Sequence, residues 1–357
     1  MDHHENLMQM YFGMQADALR NTAEQGDEVF SRVREAMTGE RPASVVLLGI
    51  GSSFHSARLA EKEFRALSGL PVTCMTPEQA MDRVSDFNAR SLVIAVSQSG
   101  TSTNTLRALK ELRPRAARIL AVTQGADSPV AKEADQVIPL YIPEEKAGPK
   151  TMGVISSVCS LLLIAAALSR EANAWENLKS DMLSEAEAMA QNLNAVRDWA
   201  VSHADTLASE TSWMVVGQRD AAAAAGEGAL KLTETVRRTV AFYELEEAVH
   251  GPCASFIARP ALMCLRLPWE DQTRPEALCG ACEARGGHAF RVGLNPGRPV
   301  TDGLSVTLAY GVRRLAVLEL LLPAQAVSAW APPRMGIDLD ERDHDSFTAI
   351  LAGHLEM

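Results

Sequence analysis

The chain has 357 residues, 47% hydrophobic and 22% charged, with a formal net charge of −11. That length exceeds one small core and fits about two domains. The acidic balance argues against a nucleic-acid partner or an anionic membrane surface, but leaves room for an anionic small molecule, which feels only its local site.

Six cysteines in a chain this long are not a disulfide scaffold. Cys279-Gly-Ala-Cys282 is a lone pair, whereas a zinc site needs about four ligands. We read it as two thiols on a helix and expect neither metal nor cofactor. The opening Met1-Asp-His-His-Glu is polar and acidic, unlike a signal peptide. The longest apolar stretch, 154–168, contains Ser156, Ser157 and Ser160 and is shorter than the ~20 residues of a membrane span. It is expected to be a buried helix, and the expected location is cytoplasmic.

Residues 1–40 read as a helical segment, with apolar positions at three- and four-residue spacing over 8–19 and 29–37. A recurring plan then begins. Short apolar runs at 44–49, 92–96, 118–122 and 136–142 alternate with helical stretches. Continuous apolar runs of this length predict a parallel sheet buried on both faces. The plan repeats at 213–217, 261–267, 289–294 and 304–310, at an offset of about 170 residues. The closing apolar helices, 153–168 and 315–330, correspond as well. The expected fold class is therefore α/β. Two tandem three-layer α/β/α domains, each with a mainly parallel sheet, span 41–170 and 206–334. A helical linker spans 171–205 and a tail 335–357.

The two copies differ chemically. After its second strand the first reads Ser97-Gln98-Ser99-Gly100-Thr101-Ser102-Thr103, immediately before a helix. Hydroxyls around a glycine at a helix start make an anion cradle, although one such residue also suits a capping turn. The second copy has Pro268-Trp269-Glu270-Asp271-Gln272 there, and carboxylates repel a phosphate. One phosphate site, in the first copy, is the economical reading. The turn Gly49-Ile50-Gly51-Ser52-Ser53 offers further donors, but it lacks the third glycine of a dinucleotide fingerprint.

Residues 226–252 hold the remaining chemistry. Strong helix formers place Glu227, Lys231 and Glu234 on one face. Glu244, Glu246 and Glu247 then lead to His250-Gly251-Pro252. A lysine, carboxylates and a histidine can serve proton transfer at carbon and ring opening; a solvated helix face followed by a loop histidine is the alternative.

Gly51-Ser-Ser-Phe-His55, Ser97-Gln-Ser-Gly100, Gly228-Ala-Leu-Lys231-Leu-x-Glu234 and His250-Gly-Pro252 together resemble the sugar isomerase (SIS) family. The pattern is most similar to the isomerase half of glucosamine-6-phosphate synthase and to the fructosamine-6-phosphate deglycases, over residues 41–335. The resemblance implies two SIS domains and a sugar-phosphate substrate. Ser97, Gln98, Ser99 and Ser102, with Ser53, would bind its phosphate. It implies Glu234 as the group moving a proton between C1 and C2, with Lys231 beside it. His250 would open the ring from the partner subunit of a homodimer. Gly51, Ser52, Lys150, Glu247 and His344 are further candidate contacts.

The departures matter. The chain begins directly with the SIS-like part, without the synthases' glutaminase domain, and its tail has no lysine for a Schiff base. Gly148-Pro-Lys150-Thr-Met-Gly153 replaces a family stretch with a glutamate and Ser-Thr-Lys, and Lys150 is either a substitute cation or a surface lysine. A deglycase acting on a 6-phosphorylated amino-ketose fits these departures. An amino-sugar-phosphate deaminase/isomerase and a non-catalytic sugar-phosphate regulator are the alternatives. The tail is expected to close over the sugar, with His344 either bonding a substrate group or lying in solvent.

Overall fold

The computed structural model describes residues 5–341 apart from 38, 40 and 117; His344 and most of the tail lie outside the described residues. Three helices open the chain: α1 (Leu7–Gly13), α2 (Gln15–Gln25) and α3 (Asp27–Ala36). The single helix expected over 8–19 is thus two. Met14 leaves helical geometry and its N–H bonds back to the Tyr11 carbonyl. Asn6 and Gln9 form a reciprocal capping box at the start of α1.

The first half alternates strands and helices: β1 (Ser44–Leu48), α4 (Ser52–Ser68), β2 (Val72–Met75), α5 (Pro77–Asp82), β3 (Ser91–Val96), α6 (Thr103–Leu112), β4 (Arg118–Val122), α7 (Pro129–Lys132), β5 (Gln136–Ile138) and α8 (Met152–Ala167). Its sheet has the order β2-β1-β3-β4-β5, parallel throughout. The long α9 (Ala174–Ser202) and short α10 (Ala204–Ser209) lead to the second half. There follow β6 (Ser212–Gly217), α11 (Asp220–Val236), β7 (Thr239–Glu244), α12 (Leu245–Val249), β8 (Ala261–Leu265), α13 (Thr273–Glu283), β9 (Ala289–Asn295), β10 (Val300–Asp302), β11 (Ser305–Ala309) and α14 (Leu322–Arg334). The second sheet runs β7-β6-β8-β9-β11-β10, the same path as the first with β10 added antiparallel at its edge.

Both central strands are fully buried, β3 and β8 alike, as their unbroken apolar runs require. The closing helix α8 is buried along its whole length and packs on α2, α4 and α9. Cys279 and Cys282 are buried free thiols on α13. No helix among the described residues is long and apolar enough to cross a membrane, and no described group of residues could hold a metal ion.

One contact positions the site. The first helix of each half, α4 and α11, pack against each other. Gly226 permits the approach, since a Cβ there would sit 3.0 Å from Cε1 of His55. A cavity built on the strand ends of the first half is therefore lined also by a helix of the second.

Candidate active site

The cradle comes from two turns of the first half. Gly51 adopts φ +59°, a conformation costly for other residues, and so lets Ser52 and Ser53 open α4. Gly100 adopts φ +69°, and a Cβ there would lie 1.9 Å from the Ser128 hydroxyl oxygen. Only glycine fits, and the turn delivers Ser97 and Ser99 to the cavity just before α6. Ser102 caps α6: its hydroxyl oxygen accepts from the Thr105 N–H at 3.4 Å and from the Thr105 hydroxyl at 3.0 Å. Ser102 thus serves the capping role and lines the cavity as well. The starts of α4 and α6 converge there with their orphan N–H groups, a favourable field for an anion.

Helix α11 brings charge from the second half. Lys231 is 1% exposed. Its ammonium pairs with Glu227 at 3.6 Å and hydrogen-bonds Glu234, three residues on. Glu227 is fully buried, and its Oε1 accepts from the Ser52 hydroxyl at 3.0 Å. Burial pushes Glu227 up to about 7 against the pull of Lys231. Burial alone would discharge Lys231, but Glu227 and Glu234 outweigh it and raise its pKa. Glu234 keeps 36% of its side chain exposed, so it is the member of the trio that reaches solvent and any substrate.

A further buried carboxylate braces the cradle. Glu145, 3% exposed, accepts at Oε1 from the Thr151 and Met152 N–H groups and the Thr151 hydroxyl. At Oε2 it accepts from the Gly153 N–H at 2.9 Å and the Gln98 amide at 3.1 Å. It therefore satisfies the first turn of α8 and ties the serine loop to it. The Gln98 amide nitrogen also donates to Gln124 at 3.3 Å. With both amide hydrogens engaged, the Gln98 side chain is a brace, and only its backbone remains to meet a phosphate. Gly153 makes room for that amide, since a Cβ would come 2.1 Å from its oxygen. Lys150 is half-buried, donates to the Glu145 and Ala147 carbonyls at 2.7 Å, and has its pKa lowered by burial. It is not a surface lysine.

These groups enclose a cavity of 270 Å³ in which Ser53, Ser97, Ser99, Lys150, Lys231 and Glu234 meet. Past Lys150 and Glu234 it adjoins a chamber of 610 Å³, lined also by Leu7, Lys146, Pro149 and Arg237. Chemically, the half-exposed Glu234 beside a held ammonium can take and return a proton, and Lys231 can stabilise negative charge developing on a nearby oxygen.

Not every expected residue is there. His250 follows α12 at the surface, exposed, and Glu247 is likewise exposed; neither lines the cavity of its own chain. Glu227 stands on the expected helix face but was not expected in the site, and Glu145 gave no sequence signal, because its role depends on the chain folding back to α8. In the second half the corresponding loop is acidic, with Asp271 accepting from the Thr273 and Arg274 N–H groups.

Comparison with known proteins accords with this geometry. Residues 40–169 match the SIS domain family model. The chain is 28% identical over 311 residues to a glutamine–fructose-6-phosphate aminotransferase [isomerizing] of Symbiobacterium thermophilum, covering 83% of this chain and 50% of that protein. The chain thus spans about half the length of the curated relatives it matches. Among solved structures, the C-terminal domain of glucosamine-fructose-6-phosphate aminotransferase from Francisella tularensis matches with a TM-score of 0.78 at 17% identity, covering 95% of this chain and 99% of that one. Glucosamine-6-phosphate deaminase from Thermotoga maritima matches with a TM-score of 0.66 at 20% identity, covering 92% and 97%. At such identities these two structures establish a shared fold alone. The sequence match covers both turns of the cradle, Gly51–Ser53 and Ser97–Ser102, so the likeness to the SIS domain family extends over residues 40–169.

Proposed function

We propose that this chain is a phosphosugar isomerase-type enzyme whose substrate is a 6-phosphorylated 1-amino-1-deoxyketose, which it splits into hexose 6-phosphate and free amine. We read 41–170 and 206–334 as two tandem SIS domains, a reading supported by the matching strand order of the two sheets. The sugar phosphate sits in the cradle of the first domain, on the hydroxyls of Ser53, Ser97 and Ser99 and the N–H groups of the two helix starts. Its other end then lies at Glu234. The Glu234 carboxylate takes a proton from C1 and an enaminol forms. Return of that proton to C2 gives an aldose imine, and water adds to the imine carbon and expels the amine. Lys231 holds charge at the reacting oxygen. His250 of a second copy opens the ring, a role supported by its absence from the cavity of its own chain.

The observation that carries this reading is the chamber beyond Glu234. A phosphorylated hexose fills a small polar cavity, and a substituent on C1 needs room on the far side of the base. An amino sugar whose nitrogen is unsubstituted needs none. The test is a coupled assay for glucose 6-phosphate across phosphorylated fructosamines and amino sugars. Release from the fructosamines, falling by about 10²–10⁴ in Glu234→Gln, is the expected result, because loss of a general base costs about that much. Turnover of glucosamine 6-phosphate instead would favour the deaminating isomerase. Saturable binding with no turnover of any sugar would favour a regulator.

A further inference from the structure

At the junction of the two halves lies a cleft of 770 Å³, against 270 Å³ for the sugar cavity. It occupies in the second half the place that the sugar cavity occupies in the first. The start of the first helix lines each: Arg219 and Asp220 before and in α11, Ser52 and Ser53 in α4. The turn geometry is shared, Arg219 at φ 46°, ψ −112° and Gly51 at φ 59°, ψ −134°. The loop after the central strand, β8 or β3, contributes Trp269 in one and Ser99 in the other. The segment ahead of the closing helix contributes Arg313 in one and Lys150 in the other. Finally the first helix of the opposite half covers each, α4 over the cleft and α11 over the cavity. Ligands of open α/β sheets bind in crevices at the strand ends, and the duplication has produced two such crevices.

The chemistry has diverged. The hydroxyls are replaced by an aromatic and cationic set. The Arg313 guanidinium lies 4.7 Å from the Trp269 ring centroid, and Tyr310 meets the same indole edge-on. Four carboxylates line the cleft too: Asp220 is taken by Lys62, Asp181 by Arg314 and Glu61 by Arg58 and Arg65, while burial raises the pKa of Glu63; six cationic side chains face these four. Arg219 and Arg313 make no ion pair among the described residues, so two guanidiniums beside an indole are left to meet a ligand.

We propose that this cleft is a second ligand site, for an anion carrying a planar ring and of about the size of a nucleoside monophosphate. Guanidiniums recognise phosphate or carboxylate, and the Trp269–Arg313 pair is a surface on which a heteroaromatic ring stacks. The volume lies in the range of small-molecule sites and exceeds what a hexose phosphate requires. The site is coupled to the sugar cavity by two rigid elements. Helix α4 starts at the cavity with Ser52 and Ser53 and reaches the cleft with Arg58 and Lys62; α11 starts at the cleft and reaches the cavity with Lys231 and Glu234. The binding half of the proposal stands whatever reaction the sugar cavity performs.

Calorimetric titration with adenosine 5′-monophosphate, adenosine and inorganic phosphate tests it. The nucleotide should bind with a Kd below about 1 mM, and each half-molecule about tenfold more weakly or not at all. Arg313→Ala, a change at an exposed side chain, should weaken the nucleotide about tenfold with unchanged circular dichroism, and Trp269→Phe should weaken it less than Trp269→Ala. No saturable binding up to about 5 mM, or equal binding by Arg313→Ala and Trp269→Ala, overturns the site. Hydrogen exchange with the nucleotide bound tests the coupling. Slowed exchange in the last turn of α11, at the sugar cavity, is expected; protection confined to the cleft contradicts it.

Discussion

At the scale of single residues, the site works by dividing burial unequally among three charges. Glu227 and Lys231 are withdrawn from solvent, while Glu234 keeps a face to the cavity. A withdrawn pair fixes position, and in the proposed reaction the exposed member exchanges the proton. The cradle acts through hydroxyls and N–H groups, so its contribution should appear in binding. Replacing Ser97 and Ser99 together with alanine should weaken sugar-phosphate binding by about 1–3 kcal/mol, the usual cost of losing hydrogen bonds to a charged group. Calorimetry checks this, and equal affinity would remove the serine loop from the phosphate site. The Glu227-Lys231-Glu234 face and the serine loop were legible because each depends on local spacing. Glu145 was not. Its five donors come from Gln98 and from residues 151–153, and only the fold brings the loop and the helix start to one carboxylate.

At the scale of elements, α9 does more than link the halves. Glu185 on α9 accepts from the Gly311 and Val312 N–H groups at 2.9 and 2.7 Å, ahead of α14. Asn192, two turns on, donates to the Ala309 carbonyl and to Glu319, both at 2.7 Å. Glu185 and Glu319 are both fully buried. Burial pushes Glu185 up to about 7, and burial together with Glu185 pushes Glu319 well above the usual carboxyl range. The sign follows directly. A raised folded pKa gives stability that is fully present below the ordinary value near 4.5 and is lost as pH rises through about 7. The Tm of the wild type should therefore fall from pH 5 to pH 8. Glu319→Gln, which cannot ionise and still donates a hydrogen bond, should flatten that fall by a few degrees. Parallel Tm–pH profiles for the two proteins would show that the pair does not titrate there.

The strands missed from sequence lie at the sheet edges. β2 is interrupted by Thr73 and β10 is exposed throughout, so neither shows the continuous apolar run that marked the central strands; β7 has one, Val240–Tyr243, but it is half-exposed and runs straight into the acidic Glu244–Glu247. The run Glu244–Glu247 was read as an approach to His250. Glu244 in fact ends β7 and caps α12 by accepting from the Glu246 N–H.

At the scale of the whole molecule, the proposed duplication accounts for a site in one half that takes a helix from the other, since α4 and α11 hold corresponding places in the two halves and pack against each other. The offset of about 170 residues located four strands in each half, because repeated apolar runs mark buried strands; that the two sheets share one strand order comes from the fold itself. Assembly is the part that spacing does not reach. His250 lies outside the cavity of its own chain, and we propose that a second copy supplies it. Mixing inactive Glu234→Gln and His250→Ala chains should then restore part of the activity, because a mixed dimer contains one intact site. Heterodimers that form and stay inactive would contradict the shared site.

The central claim is spatial: phosphate in the serine cradle, reacting carbon at residue 234, amine in the chamber beyond. A crystal structure of Glu234→Gln with a 6-phosphorylated fructosyl amino acid tests all three at once. The account predicts phosphate oxygens on Ser97, Ser99 and the N–H groups that open α6, C1 within about 3.5 Å of the residue-234 side chain, and the amino-acid portion beside Lys146 and Arg237. The sugar's own phosphate bound near Trp269 and not in the cradle, or a sugar in the cradle with C1 turned away from residue 234, would contradict it.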